Sequence, residues 1–112
     1  MIHYLNLNDG PFQAIKNGYK TVEMRLNDEK RQKIRVGDEI IFKKEHSDEV
    51  IHAVAIGLHV YPNFDLLSWN FHNDVLGIPE DIMDIGKYMR SYYSDADVYR
   101  YGAFAIRLQI IS

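Results

Sequence analysis

Strand-like runs of apolar positions dominate this chain up to about residue 61, helical spacing takes over after Pro62, and a last strand-like run closes the chain. Ile2-His3-Tyr4-Leu5-Asn6-Leu7, short and rich in large side chains, predicts a first strand. Asn8-Asp9-Gly10-Pro11 then offers a cap residue and a proline suited to a first helical turn. Phe12, Ile15 and Tyr19 follow at near-helical spacing with Gly18 as a stop, so a short helix is expected over 11–17. Lys20 to Leu26 alternates, with Val22, Met24 and Leu26 on one face and Thr21, Glu23 and Arg25 on the other. Residues 27–33 are polar enough to read as an exposed turn or short helix. Val36-Gly37-Asp38 is a turn leading into a strand over 39–43, and 44–49 reads as a hairpin connection to a long strand over 50–61, with a bulge at Gly57.

Beyond Pro62, Asn63 is placed to cap a short helix carrying Leu66, Leu67 and Trp69. Trp69, Phe71 and Leu66 are expected to form a local core or a lid. Pro79-Glu80-Asp81 predicts another helix start, with Ile82, Ile85, Met89 and Tyr92 or Tyr93 as its stripe. Ser94-Asp95 begins a second short helix through Tyr101, Gly102 closes it, and 103–111 is a last strand. Strand, helix, several strands, helices and strand, in that order, predict an α+β fold built on a small mixed or antiparallel β-barrel with flanking short helices and a helical insert.

At 112 residues and 46% hydrophobic content, one domain over 1–112 with its own core is expected. The absence of cysteine excludes a disulfide scaffold, a thiol nucleophile and a thiolate zinc site. The start MIHYLNLNDG has neither a basic nor an apolar signal segment, and no apolar run approaches the ~18 residues of a membrane span. A cytoplasmic protein without a membrane partner is expected.

The net charge of −3 is unevenly spread. Residues 16–35 hold seven basic and three acidic side chains, a local +4, leaving −7 on the rest. Such a segment can attract phosphates, with Lys30, Arg31 and Lys33 as candidate contacts, or simply solvate a loop. The acidic total argues against avid duplex DNA binding.

The segment from Gly18 to Leu26 is the richest in chemistry. Glu23 and Arg25 share a strand face and can pair. Lys20 lies in the turn, free to reach the same point as a base with a lowered amine pKa or as a phosphate or carbonyl anchor. The plainer alternative is a surface ion pair on an exposed strand, worth little. The pattern Gly18-x-Lys20-x-x-Glu23-x-Arg25, preceded by a short helix and followed by Val36-Gly37-Asp38, resembles the ASCH domain, a family of the PUA-like superfamily of small β-barrels associated with RNA. Tyr92-Tyr93 in the helical insert and Gly102 before the closing strand extend the resemblance over nearly the whole chain.

The resemblance implies a cleft lined by Lys20, Glu23 and Arg25 that takes single-stranded RNA or a modified nucleoside. One branch of the family hydrolyses N4-acetylcytidine with a lysine, a threonine three residues later and a distant glutamate. Lys20 matches the lysine, but Glu23 occupies the threonine position, Thr21 is out of place, and Glu80 is only a guess for the distant glutamate. A carboxylate cannot stand in for a hydroxyl nucleophile without a change of mechanism. The enzymatic alternative, an amidohydrolase or a ribonuclease, would use Lys20 and Glu23 as catalytic groups.

Tyr88, Tyr92, Tyr93, Tyr99 and Tyr101 crowd one window with Arg90 and Arg100. Tyrosines beside guanidiniums suit unpaired bases, which marks Tyr92, Tyr93 and Arg100 as candidate ligand contacts; packing of the insert on the barrel accounts for most of the others. A third alternative makes this insert the docking surface of a regulatory domain. The five histidines form no ligand-spaced pattern, Ser68, Ser91 and Ser94 lack a nucleophile context, and no glycine-rich phosphate loop occurs, so no metal or cofactor is expected.

Overall fold

The structure, a computed structural model, describes residues 1–111. Five strands form one sheet: β1 (Ile2–Leu7), β2 (Val22–Leu26), β3 (Glu39–Lys44), β4 (Val50–Tyr61) and β5 (Ala103–Ile110). They lie in the order β1-β3-β4-β5-β2, with β1 parallel to β3 and every other pairing antiparallel. The mixed sheet curls into a half-barrel, which bears out the expected α+β class. A register shift between Ala55 and Gly57 in β4 supplies the bulge expected there.

Five short helices fill the connections: α1 (Asp9–Lys16), α2 (Phe64–Ser68), α3 (Asn73–Leu76), α4 (Ile85–Met89) and α5 (Asp95–Tyr101). Side-chain caps hold the N-termini of α2, α4 and α5, whereas Asn8 and His72 before α1 and α3 make no cap hydrogen bond. The side chains of Asn63, Asp84 and Ser94 accept hydrogen bonds from the backbone N–H groups of Leu66, Lys87 and Asp97. Residues 31–33 form a single 3₁₀ turn.

Two expectations are corrected and one helix is new. No helix starts at Pro79: Glu80-Asp81 is a turn, residues 82–84 are irregular, and α4 begins only after the Asp84 cap, so the stripe from Ile82 to Tyr93 is not one helix. The four-residue α3, which carries no hydrophobic period of its own, was not foreseen. Trp69 is neither core nor lid; it is 79% exposed, and Phe64 and Leu67 of α2 are buried instead.

The core lies on both sides of β5. Leu5, Phe12, Ile15, Phe42, Phe104 and Ile106 fill the half-barrel under α1. Val22, Met24, Phe64, Leu67, Leu76, Met89 and Ala105 pack the helical insert onto the outer face. β2 and β5 are therefore covered on both faces, which fixes the environment of every side chain on β2.

Candidate functional site: a charged floor between the sheet edges

Paired residues across an antiparallel ladder share a face. Glu23 pairs with Ile106 and Arg25 with Phe104, both of the inner core, whereas Met24 pairs with Ala105 of the outer core. Glu23 and Arg25 thus look into the half-barrel, not to solvent. The surface ion pair considered for this strand is replaced by a buried one: Glu23 is 3% and Lys20 9% exposed.

Lys20 reaches Glu23 because the turn after α1 is tightly held. Gly18 takes φ +83°, and the N–H groups of Tyr19 and Lys20 both donate to the Ala14 carbonyl. The Thr21 N–H donates to the Val75 carbonyl of α3, anchoring the turn to the insert. Lys20 Nζ lies 2.8 Å from Glu23 Oε1. Arg25 places Nε 2.9 Å and Nη2 2.8 Å from Glu23 Oε2. Arg25 Nη2 also donates to the Asn6 carbonyl of β1 at 2.8 Å, so one guanidinium joins the two edge strands of the sheet. Burial pushes the Glu23 carboxyl up, but the charges and hydrogen bonds of Lys20 and Arg25 outweigh it and hold it below its ordinary value. Glu23 is a carboxylate between two cations, and the cluster as a whole carries one positive charge.

Above this cluster lies a cleft of about 210 Å³. Asn6, Leu7, Asn8, Pro11 and the exposed carboxylate of Glu45 line one side; Leu76, Gly77 and Ile78 and the rings of Tyr88, Tyr92 and Tyr93 line the other, with Met24 and Met89 among them. Tyr93 stacks on Phe64 at 5.7 Å and nearly parallel, so its ring is held. Tyr92 is 54% exposed, and the Tyr88 hydroxyl beside it, its partial burial and the Glu23 charge push its phenol up, keeping it protonated. Gly77 matters by its absence of a side chain: at φ +71°, a Cβ there would stand 2.8 Å from Lys20 Cδ. The glycine lies against the lysine stem and leaves it room.

The structure brings Lys20, Glu23, Arg25, Tyr92 and Tyr93 to one cleft. Arg100 is not there; it lies over its neighbour Tyr101 at 5.0 Å and lines a separate shallow hollow with Tyr99. Glu80 lines another hollow, beside Trp69 and Asp74. Lys30 and Lys33 are exposed outside the cleft, Lys30 donating to the Tyr4 carbonyl at 3.2 Å, and Arg31 is paired with Asp28 at 2.9 Å. Sequence reasoning missed the far wall at residues 76–78 and the end of β1. Leu76-Gly77-Ile78-Pro79 signals a turn and nothing about the lysine it meets. Among the described residues no group of three His, Asp or Glu side chains is placed to hold a metal ion, and no helix is long and apolar enough to cross a membrane.

Fold and cleft together define a PUA-like α+β half-barrel with a charged pocket at its open seam. The ASCH domain family model matches residues 5–111, and the chain belongs to that family. The crystal structure of hypothetical protein PH0355 superposes with a TM-score of 0.87 at 29% identity, covering 99% of this chain and 100% of that one. The solution NMR structure of protein PF0455 from Pyrococcus furiosus gives 0.73 at 24% identity, covering 100% of this chain and 99% of that one. No curated protein matches the sequence.

Proposed function

We propose that this protein binds RNA by taking an unpaired nucleobase, or a modified nucleoside, into the cleft above Lys20, Glu23 and Arg25. One observation carries the reading: a buried, net-positive ion cluster forms the floor of a pocket with three tyrosines in its wall. Aromatic walls suit a flat heterocycle, and cations below it suit its polar edge. ASCH domains generally bind RNA, which agrees with that chemistry. In this reading Lys20 and Arg25 contact the base, Glu23 positions them, and Tyr92 and Tyr93 flank the ring. Lys30 and Lys33 are reserve phosphate contacts for the flanking chain.

An amide-resolved NMR titration with a short mixed-sequence single-stranded RNA tests this. Shifts are expected on residues 20–25, 76–78 and 88–93. Shifts confined to residues 30–35 and erased by moderate salt would reduce the interaction to electrostatic attraction and remove the cleft from it.

A further inference from the structure

A second hollow, of about 420 Å³, opens in the helical insert and shares no lining residue with the cleft. Its frame is braced at three points. The Asn73 amide donates to the carbonyls of Pro79 and Ile82, each at 2.9 Å, and the Asp65 carboxylate accepts from the Gly86 N–H at 2.9 Å. On that frame stand Trp69, 79% exposed, and Met83, 90% exposed, and the half-buried Phe71 and Ile82 add to the apolar lining. Single exposed apolar side chains are ordinary, but two of this size in one braced hollow leave apolar surface that the fold does not use. The charge around them has one sign. From Pro62 to Gly86 the chain holds five carboxylates and no lysine or arginine, a local −5. Asp65, Asp74 and Glu80 line the hollow, none of them in an ion pair among the described residues, and the imidazole of His72 is the single basic group beside them.

We propose that this hollow docks a basic segment of a partner protein, a stretch of lysines or arginines that carries one apolar side chain. The apolar side chain seats against Trp69 and Met83, and the flanking cations face Asp65, Asp74 and Glu80. Tryptophan is among the residue types that most often anchor protein–protein contacts, and the methionine thioether adapts to the shape of its guest. Opposite charge around such an anchor speeds encounter and turns away partners of like charge. RNA is the wrong occupant, because its phosphates would meet three carboxylates and no lysine or arginine. A second copy of this chain fits no better, because the cations of its own basic segment are already engaged. Lys20 and Arg25 lie in the cleft floor, Lys16 and Arg31 are paired with Glu49 and Asp28, and Lys30 donates to the Tyr4 carbonyl. Hollow and cleft have no side chain in common, so the docking does not rest on what the cleft binds.

The test is an NMR titration of the whole isotope-labelled chain with two acetylated, amidated pentapeptides, Lys-Lys-Leu-Lys-Lys and Lys-Lys-Gly-Lys-Lys, equal in charge and different in the anchor. Trp69 is the chain's one tryptophan, so its fluorescence gives a second reading in the wild type. The leucine peptide is expected to shift residues 65–74 and 80–85, to change the Trp69 emission and to bind at least about fivefold more tightly than the glycine peptide. Trp69→Ser is expected to bring the two affinities together, and Asp74→Asn combined with Glu80→Gln to weaken both peptides severalfold. All three side chains are exposed, so these variants are expected to fold. Equal affinities in the wild type would reduce the interaction to electrostatic attraction and overturn the anchored docking, as would the absence of shifts at residues 65–74 and 80–85. Shifts there with a mixed-sequence trinucleotide would make RNA the occupant, and shifts there that grow with protein concentration alone would make it a second copy. Either result overturns the assignment to a basic partner.

Discussion

Glu23 is the residue on which the cleft depends most. Its replacement by glutamine leaves Lys20 and Arg25 close together and largely buried with no counter-charge. Breaking a buried ion pair from one side costs about 3–5 kcal/mol, and Glu23→Gln is expected to lose about that much in a urea unfolding curve. The pH dependence has a definite sign. A carboxyl whose folded pKa lies below its unfolded value of 4.5 stabilises the fold above that pH, and the contribution is lost as pH falls through the folded pKa. Wild-type stability should therefore decline below about pH 4.5, and the part due to Glu23 should be missing from the variant. Asp38 provides an independent acid-range marker far from the cleft. The His3 ring, at 2.8 Å, and the Arg35 N–H hold its carboxyl at about 2, well below 3.8. A carboxyl NMR titration is expected to place its midpoint near that value and to find it higher in His3→Gln. Stability from Asp38 is present above 3.8 and fades as pH falls toward 2.

Two connections between elements carry glycines that no other residue replaces at equal cost. Gly102 joins α5 to β5 at φ +83°, and a Cβ there would stand 2.7 Å from the Tyr61 carbonyl oxygen, a backbone atom that cannot swing away. Gly102→Ala is expected to lower stability by at least about 1–3 kcal/mol, measured by the shift in urea midpoint. Gly77, after α3, has the same backbone hand but meets the flexible stem of Lys20. Gly77→Ala should therefore displace Lys20 and weaken the proposed RNA binding more than the backbone strain alone accounts for. Comparison of trinucleotide affinity with unfolding free energy separates the two effects; a binding loss no larger than that of a strained glycine site elsewhere would detach Gly77 from the cleft. The elements themselves were legible to different degrees. β1, β3, β4, α2, α5 and β5 were expected within a few residues, because alternation, a cap or a closing glycine marks each one locally. α3 and the late start of α4 were not, because four- and five-residue helices are held by caps and by packing, α3 against β2 and α4 against α2, not by an amphipathic period of their own.

Across the whole molecule, the net charge of −3 and the placement of the cations constrain how the proposed RNA ligand would be held. Arg25 and Lys30 donate to carbonyls of β1 and bridge the open seam at two points, so part of the basic charge is committed to the fold. Affinity should then come from the cleft and not from a broad cationic surface. A trinucleotide has two phosphodiesters, and at about −0.7 in log–log slope for each, its affinity should fall by less than about tenfold between 50 and 200 mM salt. A steeper loss would mark the exposed lysines, not the cleft, as the binding surface.

Local order in the chain was enough for the α+β class, most of the strands and the Lys20, Glu23 and Arg25 set, since period, caps and a short charged motif act between near neighbours. It could not say which face of β2 is buried, because alternation is symmetric and both faces of this strand are covered. Pairing of β2 with β5, some eighty residues away in sequence, settles that question by putting Glu23 beside Ile106 and the insert over Met24. The same long-range contacts bring Asn6 and Gly77 to the cleft and leave Arg100 outside it. Burial, and with it the strength of every charge in the site, belongs to the tertiary structure, because a side chain loses water only when distant segments close over it.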